Sequence, residues 1–207
     1  MIPFPAINRL CALYRLLCDL QESGVERISS ADLGKKLGVG AHNIRKDIAF
    51  LGVSSSSASG YDIKGLKQLI SEKFEFNTEK KACIVGLGRL GTAIMERKDL
   101  CGGEFHIIAG FDSNINRLET ISSSISLYPA YSITEVVRRL RIELAIIAVP
   151  ACVAQDVADK LIDGGIKGIL NFAPVIVKLD NKEIFIKNMD ISGELRVLSA
   201  QIKNSIR

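Results

Sequence analysis

The sequence has few of the residues on which most metal sites and dehydrogenases depend. Histidine occurs only as His42 and His106. The cysteines are odd in number and scattered without a CxxC pair: Cys11, Cys18, Cys83, Cys101 and Cys152. Such a set favours neither a disulfide framework nor a zinc site. We therefore expect reduced, mostly buried thiols and no bound metal.

Long hydrophobic runs are also missing. The longest apolar stretch, from Leu144, is interrupted by Pro150 and is too short to cross a bilayer. The N-terminus lacks the unbroken apolar core of a signal peptide. With 47% hydrophobic residues among 207, the chain can form one large or two small packed domains. These features predict a soluble cytoplasmic protein. The net charge of +4 is too mild and dispersed to indicate nucleic-acid binding by itself.

The N-terminal third has the pattern of a helix-turn-helix. Residues 6–22 carry apolar side chains at helical spacing, which predicts an amphipathic helix. Ser30 is a candidate N-cap for a short helix from Ala31 to Leu37, and "GVG" then leads to a second helix from about Ala41 to Phe50. Two short helices joined by a glycine-containing turn are typical of this motif. The polar face of the second helix would contact DNA through His42, Asn43, Arg45 and Lys46. An ordinary helical hairpin with a solvated basic face remains an alternative.

The next segment, "GVSSSSASGYDI" at 52–63, is a polar loop that closes on a short extended piece. In a winged version of the motif it would be the wing, with Ser57 and Tyr61 facing DNA. A further helix over about Lys64 to Phe74 leads to polar residues, where the periodicity changes from helical to strand-like. We therefore predict a DNA-binding domain at 1–78, a sheet domain at 79–190 and a terminal segment at 191–207.

From residue 80, near-continuous apolar strands alternate with amphipathic helices. This alternation indicates a parallel sheet that is covered on both faces. The last stretch, Ser192 to Ile206, predicts one more helix. The expected fold class is therefore α/β, with a winged helix-turn-helix domain followed by a Rossmann-type parallel sheet domain and a C-terminal helix.

The stretch "CIVGLGRLGTAIM" carries the features of a dinucleotide-binding turn. Gly86, Gly88 and Gly91 follow a strand and open a helix, and Asp112 ends the next strand. Together these features form the Rossmann fingerprint, in which the helix N-terminus binds pyrophosphate. Asp112 should accept hydrogen bonds from the adenosine ribose and favour NAD(H) over NADP(H), although Arg89 could reach a phosphate. The alternative is a vestigial loop in an empty fold.

Catalysis at this turn is not expected. A dehydrogenase needs a proton carrier and a substrate clamp beside the nicotinamide. His42 falls in the predicted DNA-reading helix and His106 in a strand pattern. The residues after Asp112 complete the sheet, so no substrate domain remains. We predict no catalytic residue.

The whole chain resembles the Rex family of bacterial redox-sensing repressors, winged-helix proteins that bind DNA until NADH displaces them. The resemblance is carried by "IRKDIAFLG", "GYDI", "VGLGRLG", "AVPACVAQDVADKL" and "GIKGILNFAPV". It implies a homodimer whose C-terminal helix swaps onto the partner. It also implies an ionic contact between Arg15 and Asp190 of different subunits in one dimer state. The implied cofactor contacts are Gly86, Leu87, Gly88, Arg89, Leu90, Gly91, Asp112, Ala148, Val149, Pro150, Asn171, Phe172, Ala173 and Pro174.

Three positions depart from the family pattern. The segment "SSSSAS" stands where family wings commonly carry glycines and a basic residue, which predicts a weaker dependence of DNA binding on salt. Arg97 stands where a tyrosine often joins the ionic contact, and as a cation it would compete with Arg15 for Asp190. Ile191 replaces the usual aromatic residue after that aspartate.

Three functions are compatible with these patterns. The leading hypothesis is a repressor of operator DNA that responds to NADH and NAD⁺. The second is a diverged Rex-like regulator with a lost or altered NADH response. The third is a small oxidoreductase or CoA-binding protein, because the same open sheet with a glycine turn also serves CoA ligases.

Overall fold

The computed structural model describes residues 2–53, 60–97, 103–179 and 183–205. The chain divides into two compact units, Met1–Thr78 and Glu79–Arg207. Each unit has its own hydrophobic core, so each is described by itself.

The N-terminal unit is built from α1 (Phe4–Glu22), α2 (Ser30–Leu37), α3 (Ala41–Ala49) and α4 (Ile63–Phe74). Its core is formed by leucine and isoleucine side chains at helical spacing, because that spacing places them on one face of each helix. The most deeply buried of them are Leu10, Leu13, Leu17, Leu33, Ile44, Ile48, Ile63 and Ile70.

The turn between α2 and α3 brings the two helices into close contact. Ser29 caps α2, its hydroxyl accepting the Asp32 N–H at 3.1 Å. The cap therefore lies one residue before the expected Ser30, whose side chain is buried. Gly38 ends α2 in the left-handed region at φ 68°. At Gly34 a Cβ would lie 2.6 Å from the Val39 carbonyl oxygen, so only glycine permits this approach.

A short antiparallel pair connects the helices of this unit. β1 (Arg27–Ile28) pairs with β2 (Tyr61–Asp62). The expected wing residues 54–59, Ser57 among them, lie outside the described residues. Asp62 then caps α4 by accepting the Gly65 N–H at 2.6 Å.

The second unit contains, within the described residues, a six-stranded sheet in the order β5-β4-β3-β6-β7-β8. Every pairing in it is parallel. The strands are β3 (Lys80–Val85), β4 (Phe105–Asp112), β5 (Ser126–Pro129), β6 (Leu144–Ile147), β7 (Gly168–Asn171) and β8 (Phe185–Asn188). This is the strand order of a Rossmann fold, and it reverses between β3 and β6.

Helices cover both faces of the sheet: α5 (Arg89–Glu96), α6 (Ile115–Thr120), α7 (Ile133–Leu140) and α8 (Ala154–Gly164). Alternate side chains of β3 enter different cores. Cys83 and Val85 pack in the cluster that contains α7 and α8 residues, whereas Ile84 packs with Ile94 of α5. Both faces of each central strand are therefore buried, as a parallel sheet requires.

The chain continues from β8 into α9 (Ile191–Ser205), in which no residue is buried. Large apolar side chains on α9 are at least half exposed: Ile191, Leu195, Val197, Leu198 and Ile202. Among the described helices, none combines the length and apolar character that would be needed to cross a membrane.

Candidate nucleotide site and DNA-facing helix

A cavity of about 620 Å³ opens at the carboxyl ends of β3 and β6. It lies where the strand order reverses, which is the usual ligand position in open α/β sheets. The glycine turn, Asp112, residues 148–150 and part of α8 line it. The fold therefore brings together residues that are about sixty positions apart in the sequence.

The three glycines of the turn have different steric surroundings. Gly86 has φ 96°, and a Cβ there would overlap the Ala148 carbonyl oxygen. A Cβ on Gly91 would overlap the Gly86 carbonyl oxygen, because α5 packs directly on the turn. At Gly88 a Cβ would meet no atom within 4 Å. Gly88 thus opens onto the cavity, and its lack of a side chain is not explained by packing within the protein.

The start of α5 lies at the same cavity. Gly88 is its N-cap, without a side-chain hydrogen bond, and Arg89 and Leu90 of the first turn line the cavity. The first N–H groups of a helix lack intrahelical acceptors and carry a partial positive charge. This arrangement suits an anion such as a pyrophosphate.

The Asp112 carboxylate is buried beside the glycine turn and is bound by three donors. Its Oδ2 accepts the Leu87 N–H at 2.8 Å and Nη1 of Arg117 at 2.9 Å, and its Oδ1 accepts the Asn114 N–H at 2.8 Å. Burial acts to raise the pKa of Asp112, but these hydrogen bonds outweigh it and hold the pKa below its ordinary value. Arg117, which the sequence pattern did not single out, is therefore part of this site.

The loop 171–174 was expected to contact the cofactor, but it does not line this cavity. Asn171 is fully buried and holds the loop together. Its amide nitrogen donates to the Val175 carbonyl and to Asn188 Oδ1, both at 2.8 Å, and its Oδ1 accepts the Ala173 N–H. Asn171 thus shapes the chain that follows β7. Leu87 and Ala173 are likewise buried, and Gly91 packs directly against the Gly86 carbonyl.

The expected DNA-reading helix α3 presents a polar surface. His42, Asn43, Arg45 and Lys46 are all exposed. Arg45 Nη1 also donates to the Ser30 hydroxyl at 3.0 Å, so part of this guanidinium ties α3 to α2. Tyr61, expected at the DNA surface, is instead 6% exposed and packs in the N-terminal core. Tyr61 follows a glycine in a polar loop, and nothing in that local pattern indicates that its side chain is buried.

An ion pair that sequence reasoning missed fixes α3 against α1. Arg9 Nε donates to Asp47 Oδ2 at 2.6 Å, and Arg9 Nη2 donates to Asp47 Oδ1 at 2.8 Å. Asp47 is 2% exposed. The hydrogen bond to this carboxylate raises the pKa of Arg9. Such a bidentate fork restricts the orientation of both side chains, and it therefore restricts the rotation of α3 about its axis.

The three residues proposed for the switch, Arg15, Arg97 and Asp190, are all exposed. Arg15 lies on α1 and Arg97 follows α5. Asp190 Oδ1 accepts the Gly193 N–H at 2.9 Å at the start of α9. No group of His, Cys, Asp or Glu side chains suited to a metal occurs among the residues that the structure describes.

Comparison with known families matches two parts of the chain. Residues 1–49 match the family described as "Putative DNA-binding protein N-terminus". Residues 77–175 match the family described as "CoA binding domain". The first match covers α1 to α3 and the second covers the sheet up to β7.

Solved structures resemble the chain over nearly its whole length. A crystal structure of RSP in complex with β-NAD⁺ and operator DNA has a TM-score of 0.88 and 28% identity, covering 99% of this chain and 94% of that one. RSP in complex with β-NADH has a TM-score of 0.86 and 26% identity, covering 99% of this chain and 96% of that one.

Curated relatives extend over the same length. The redox-sensing transcriptional repressor Rex of Carboxydothermus hydrogenoformans is 34% identical over 98% of this chain and 97% of the relative. Rex 1 of Thermotoga maritima is 35% identical over 97% of this chain and 96% of the relative. With its helix-turn-helix unit and its Rossmann cavity, the chain belongs to the Rex family of redox-sensing transcriptional repressors.

Proposed function

We propose that this protein is a dimeric, non-enzymatic repressor that binds operator DNA through α3 and releases it when NADH occupies the cavity at β3 and β6. The observation that carries the proposal is Gly88. It leaves an open approach to the cavity at the N-terminus of α5, directly beside the buried Asp112.

The residues present fit a dinucleotide. The N–H groups at the start of α5 would hold the pyrophosphate, with Gly88 allowing its close approach. Residues 148–150 of the cavity lining are alanine, valine and proline. An uncharged reduced nicotinamide would favour such an apolar surface, whereas the cationic ring of NAD⁺ would lose hydration there. The bound nucleotide would supply no chemistry, only a difference in affinity.

That difference is what allows a redox response. A ligand shifts an equilibrium between two dimer states only by as much as its affinities for them differ. NADH would therefore release DNA by binding the DNA-incompetent state more tightly than the competent one. In this scheme Arg15 and Asp190 of different subunits form the contact that favours one state, and Arg97 modifies it.

Surface features of α9 support a dimer. Ile191, Leu195, Leu198 and Ile202 recur at intervals of four and three residues, which places them on one helical face. These side chains are 54 to 65% exposed. An apolar surface of this kind usually marks a protein interface. We infer that it packs on a second copy of the chain, as the domain swap expected from the family requires. Light scattering on the intact protein should give twice the mass of one chain, and Leu195→Asp should reduce it.

The nucleotide site is tested by a matched pair of glycine variants. Gly88→Ala adds a methyl group that meets no protein atom, so we expect an unchanged melting temperature and at least a tenfold weaker NADH affinity. Gly91→Ala, as the comparison, should destabilise the fold because it overlaps the Gly86 carbonyl. Calorimetric titration and thermal melting separate the two effects. Normal NADH binding by Gly88→Ala would contradict this position for the pyrophosphate.

The DNA interface is tested on Lys46. Lys46→Ala should weaken binding to a palindromic operator and reduce the salt slope of log K by about two, because each of the two subunits would lose one phosphate contact. Arg45→Ala should additionally lower the melting temperature, because Arg45 also bonds Ser30. Lys64→Ala, on α4, is the control for the loss of one positive charge elsewhere in the N-terminal unit. Fluorescence anisotropy at several salt concentrations provides the measurement, and an unchanged slope for Lys46→Ala would exclude it from the interface.

Redox sensing is tested separately, because the serine-rich segment and Arg97 favour a second candidate, a regulator with an altered response. Titrations with NADH and NAD⁺, with and without operator DNA, distinguish the two. A sensor binds NADH more tightly and loses DNA when NADH is added. Equal affinities would support the altered regulator, since a ligand without differential affinity shifts no equilibrium. Titration with CoA in the same experiment tests the activity suggested by the family match at 77–175.

A further inference from the structure

A second cavity, the amino-end cavity, lies at the opposite end of the sheet from the glycine turn. Lys81 stands near the start of β3, Glu143 directly precedes β6 and Lys167 directly precedes β7. Because these strands are parallel, the three residues meet at one edge of the sheet. The ends of α7 and α8 complete a lining that encloses about 520 Å³. This volume is typical of ligand sites, and no lining residue is shared with the nucleotide cavity.

Charged side chains dominate the lining of the amino-end cavity. They are Glu79, Lys81, Arg138, Arg141, Glu143 and Lys167. Two of them neutralise each other, since Lys167 Nζ donates a hydrogen bond to Glu143 Oε1. This hydrogen bond holds the pKa of Glu143 below its ordinary value, so the carboxylate stays ionised and paired.

The remaining charges leave the cavity electropositive. Lys81, Arg138 and Arg141 provide three positive charges. Against them stands the Glu79 carboxylate, whose side chain is 86% exposed and therefore well screened by water. α7 and α8 both end here, and the carbonyls at a helix C-terminus carry about half a negative charge per helix. A positive excess of about one charge remains, which favours an anion.

Lys81 and Arg138 each have a structural role as well. Lys81 Nζ donates to the Leu140 carbonyl at 3.3 Å, and Arg138 Nη2 donates to the Asp163 carbonyl at 2.7 Å. Cations that bond the last carbonyls of a helix stabilise its end. These contacts use one N–H of each group, whereas an ammonium carries three and a guanidinium five. Both side chains therefore keep donors for a ligand.

Arg141 has no comparable role within the protein. It ends α7 in the left-handed region at φ 53°, where glycine is usual because a Cβ is disfavoured. Its exposed side chain makes no hydrogen bond or ion pair with any residue that the structure describes. The neighbouring Arg139, in contrast, pairs with Glu135 at 3.7 Å. The backbone at 141 thus favours glycine, and no contact in the described part of the chain favours arginine.

We propose that the amino-end cavity binds a small anion with two or more phosphate groups, with Arg141 as its main contact and with Lys81 and Arg138 contributing their remaining donors. Guanidinium groups bind phosphate oxygens in forked geometry. The three cations come from β3 and from the last turn of α7, so a ligand with several phosphate groups can contact more than one of them. This inference is independent of the nucleotide cavity and of DNA binding.

The test is calorimetric titration of inorganic pyrophosphate into the intact protein and into Arg141→Gly. The unaltered protein should bind pyrophosphate at low ionic strength with a dissociation constant below about 1 mM. Arg141→Gly removes the guanidinium and relieves the left-handed backbone, so its melting temperature should not fall. Its pyrophosphate affinity should nevertheless be at least tenfold weaker, as expected for loss of charge-assisted hydrogen bonds. Arg139→Gln is the matched control and should bind pyrophosphate normally.

Further variants separate this cavity from the glycine turn, which also suits a pyrophosphate. Gly88→Ala should leave the affinity that depends on Arg141 unchanged, and Arg141→Lys, which keeps the charge, should retain most of it. Absence of pyrophosphate binding, or equal binding by Arg141→Gly and the unaltered protein, would overturn the inference. Failure of NADH to bind would overturn the proposed function and leave this inference standing.

Discussion

Each unit of this protein buries an aspartate against an arginine, and the two pairs differ in what they do. In the N-terminal unit one guanidinium occupies both oxygens of Asp47, and the partners lie 38 residues apart on α1 and α3. In the sheet unit Arg117 contacts one oxygen of Asp112 from five residues away. The first pair joins distant helices, whereas the second stands at the edge of a cavity. The pair with two hydrogen bonds, the Arg9–Asp47 clamp, holds two helices together, whereas the pair with one hydrogen bond lies at the cavity, where Arg117 is 43% exposed.

The largest effect is expected from Arg9→Ala. It leaves the Asp47 carboxylate buried without a partner, which is more harmful than removing both groups. We expect a clear drop in melting temperature and loss of operator binding, with NADH affinity unchanged because the cavity lies in the other unit. Circular dichroism, DNA anisotropy and calorimetry measure the three quantities. Wild-type DNA affinity in Arg9→Ala would show that the clamp does not position α3.

Asp47→Ala should have the next largest effect. It removes two charge-assisted hydrogen bonds but leaves Arg9 able to reach water, so we expect a loss of about 2 kcal/mol in the free energy of unfolding. Arg9→Lys, which can contact only one oxygen at a time, serves as an intermediate comparison. Chemical denaturation measures the free energy of unfolding of each variant. Equal stability of Asp47→Ala and the unaltered protein would contradict the clamp.

A smaller loss, about 1 kcal/mol, is expected for Asp112→Asn, because one amide oxygen can still accept a backbone N–H. This difference should depend on pH in a defined direction. The pKa of Asp112 lies below its ordinary value of 3.8, so its ionised form stabilises the fold fully above about pH 5, and this contribution is lost as the pH falls through the folded-state pKa. The difference between the unaltered protein and Asp112→Asn should be constant from about pH 5 to 8 and should shrink below about pH 4. A difference that grows with acidity would contradict the assignment.

The smallest effect concerns the protection of a buried thiol in the sheet unit. Cys83 on β3 is fully buried, and this burial raises its pKa to about 12. Alkylation at pH 8 should therefore reach the exposed Cys152 and leave Cys83 unmodified until the sheet unit unfolds. Peptide mapping by mass spectrometry distinguishes the sites. Because Cys83 belongs to the core of the sheet unit, Arg9→Ala should leave its labelling rate unchanged, and faster labelling would show that loss of the Arg9–Asp47 pair also loosens that core.

Local patterns in the sequence predicted much of the fold. The apolar spacing of α1 and the alternation after residue 80 follow from burial of one helix face and of both strand faces, and both are present in the structure. The glycine turn could be recognised because its three glycines are close in sequence, follow a strand and open a helix. Residues whose surroundings come from elsewhere in the chain were harder to interpret. Tyr61 was expected at the surface and lies in the core, and the hydrogen bonds of Asn171 within its own loop were not predicted.

The sequence by itself determined the order of helices and strands, the position of the glycine turn and the family, because each depends on contacts between near neighbours or on the identity of consecutive residues. Only the tertiary structure decided that Arg9 meets Asp47 and that Arg117 shares the carboxylate of Asp112. A charged side chain carries no local sign of its partner. Its pairing depends on which helices and strands pack together, and that packing is set by the cores of the two units.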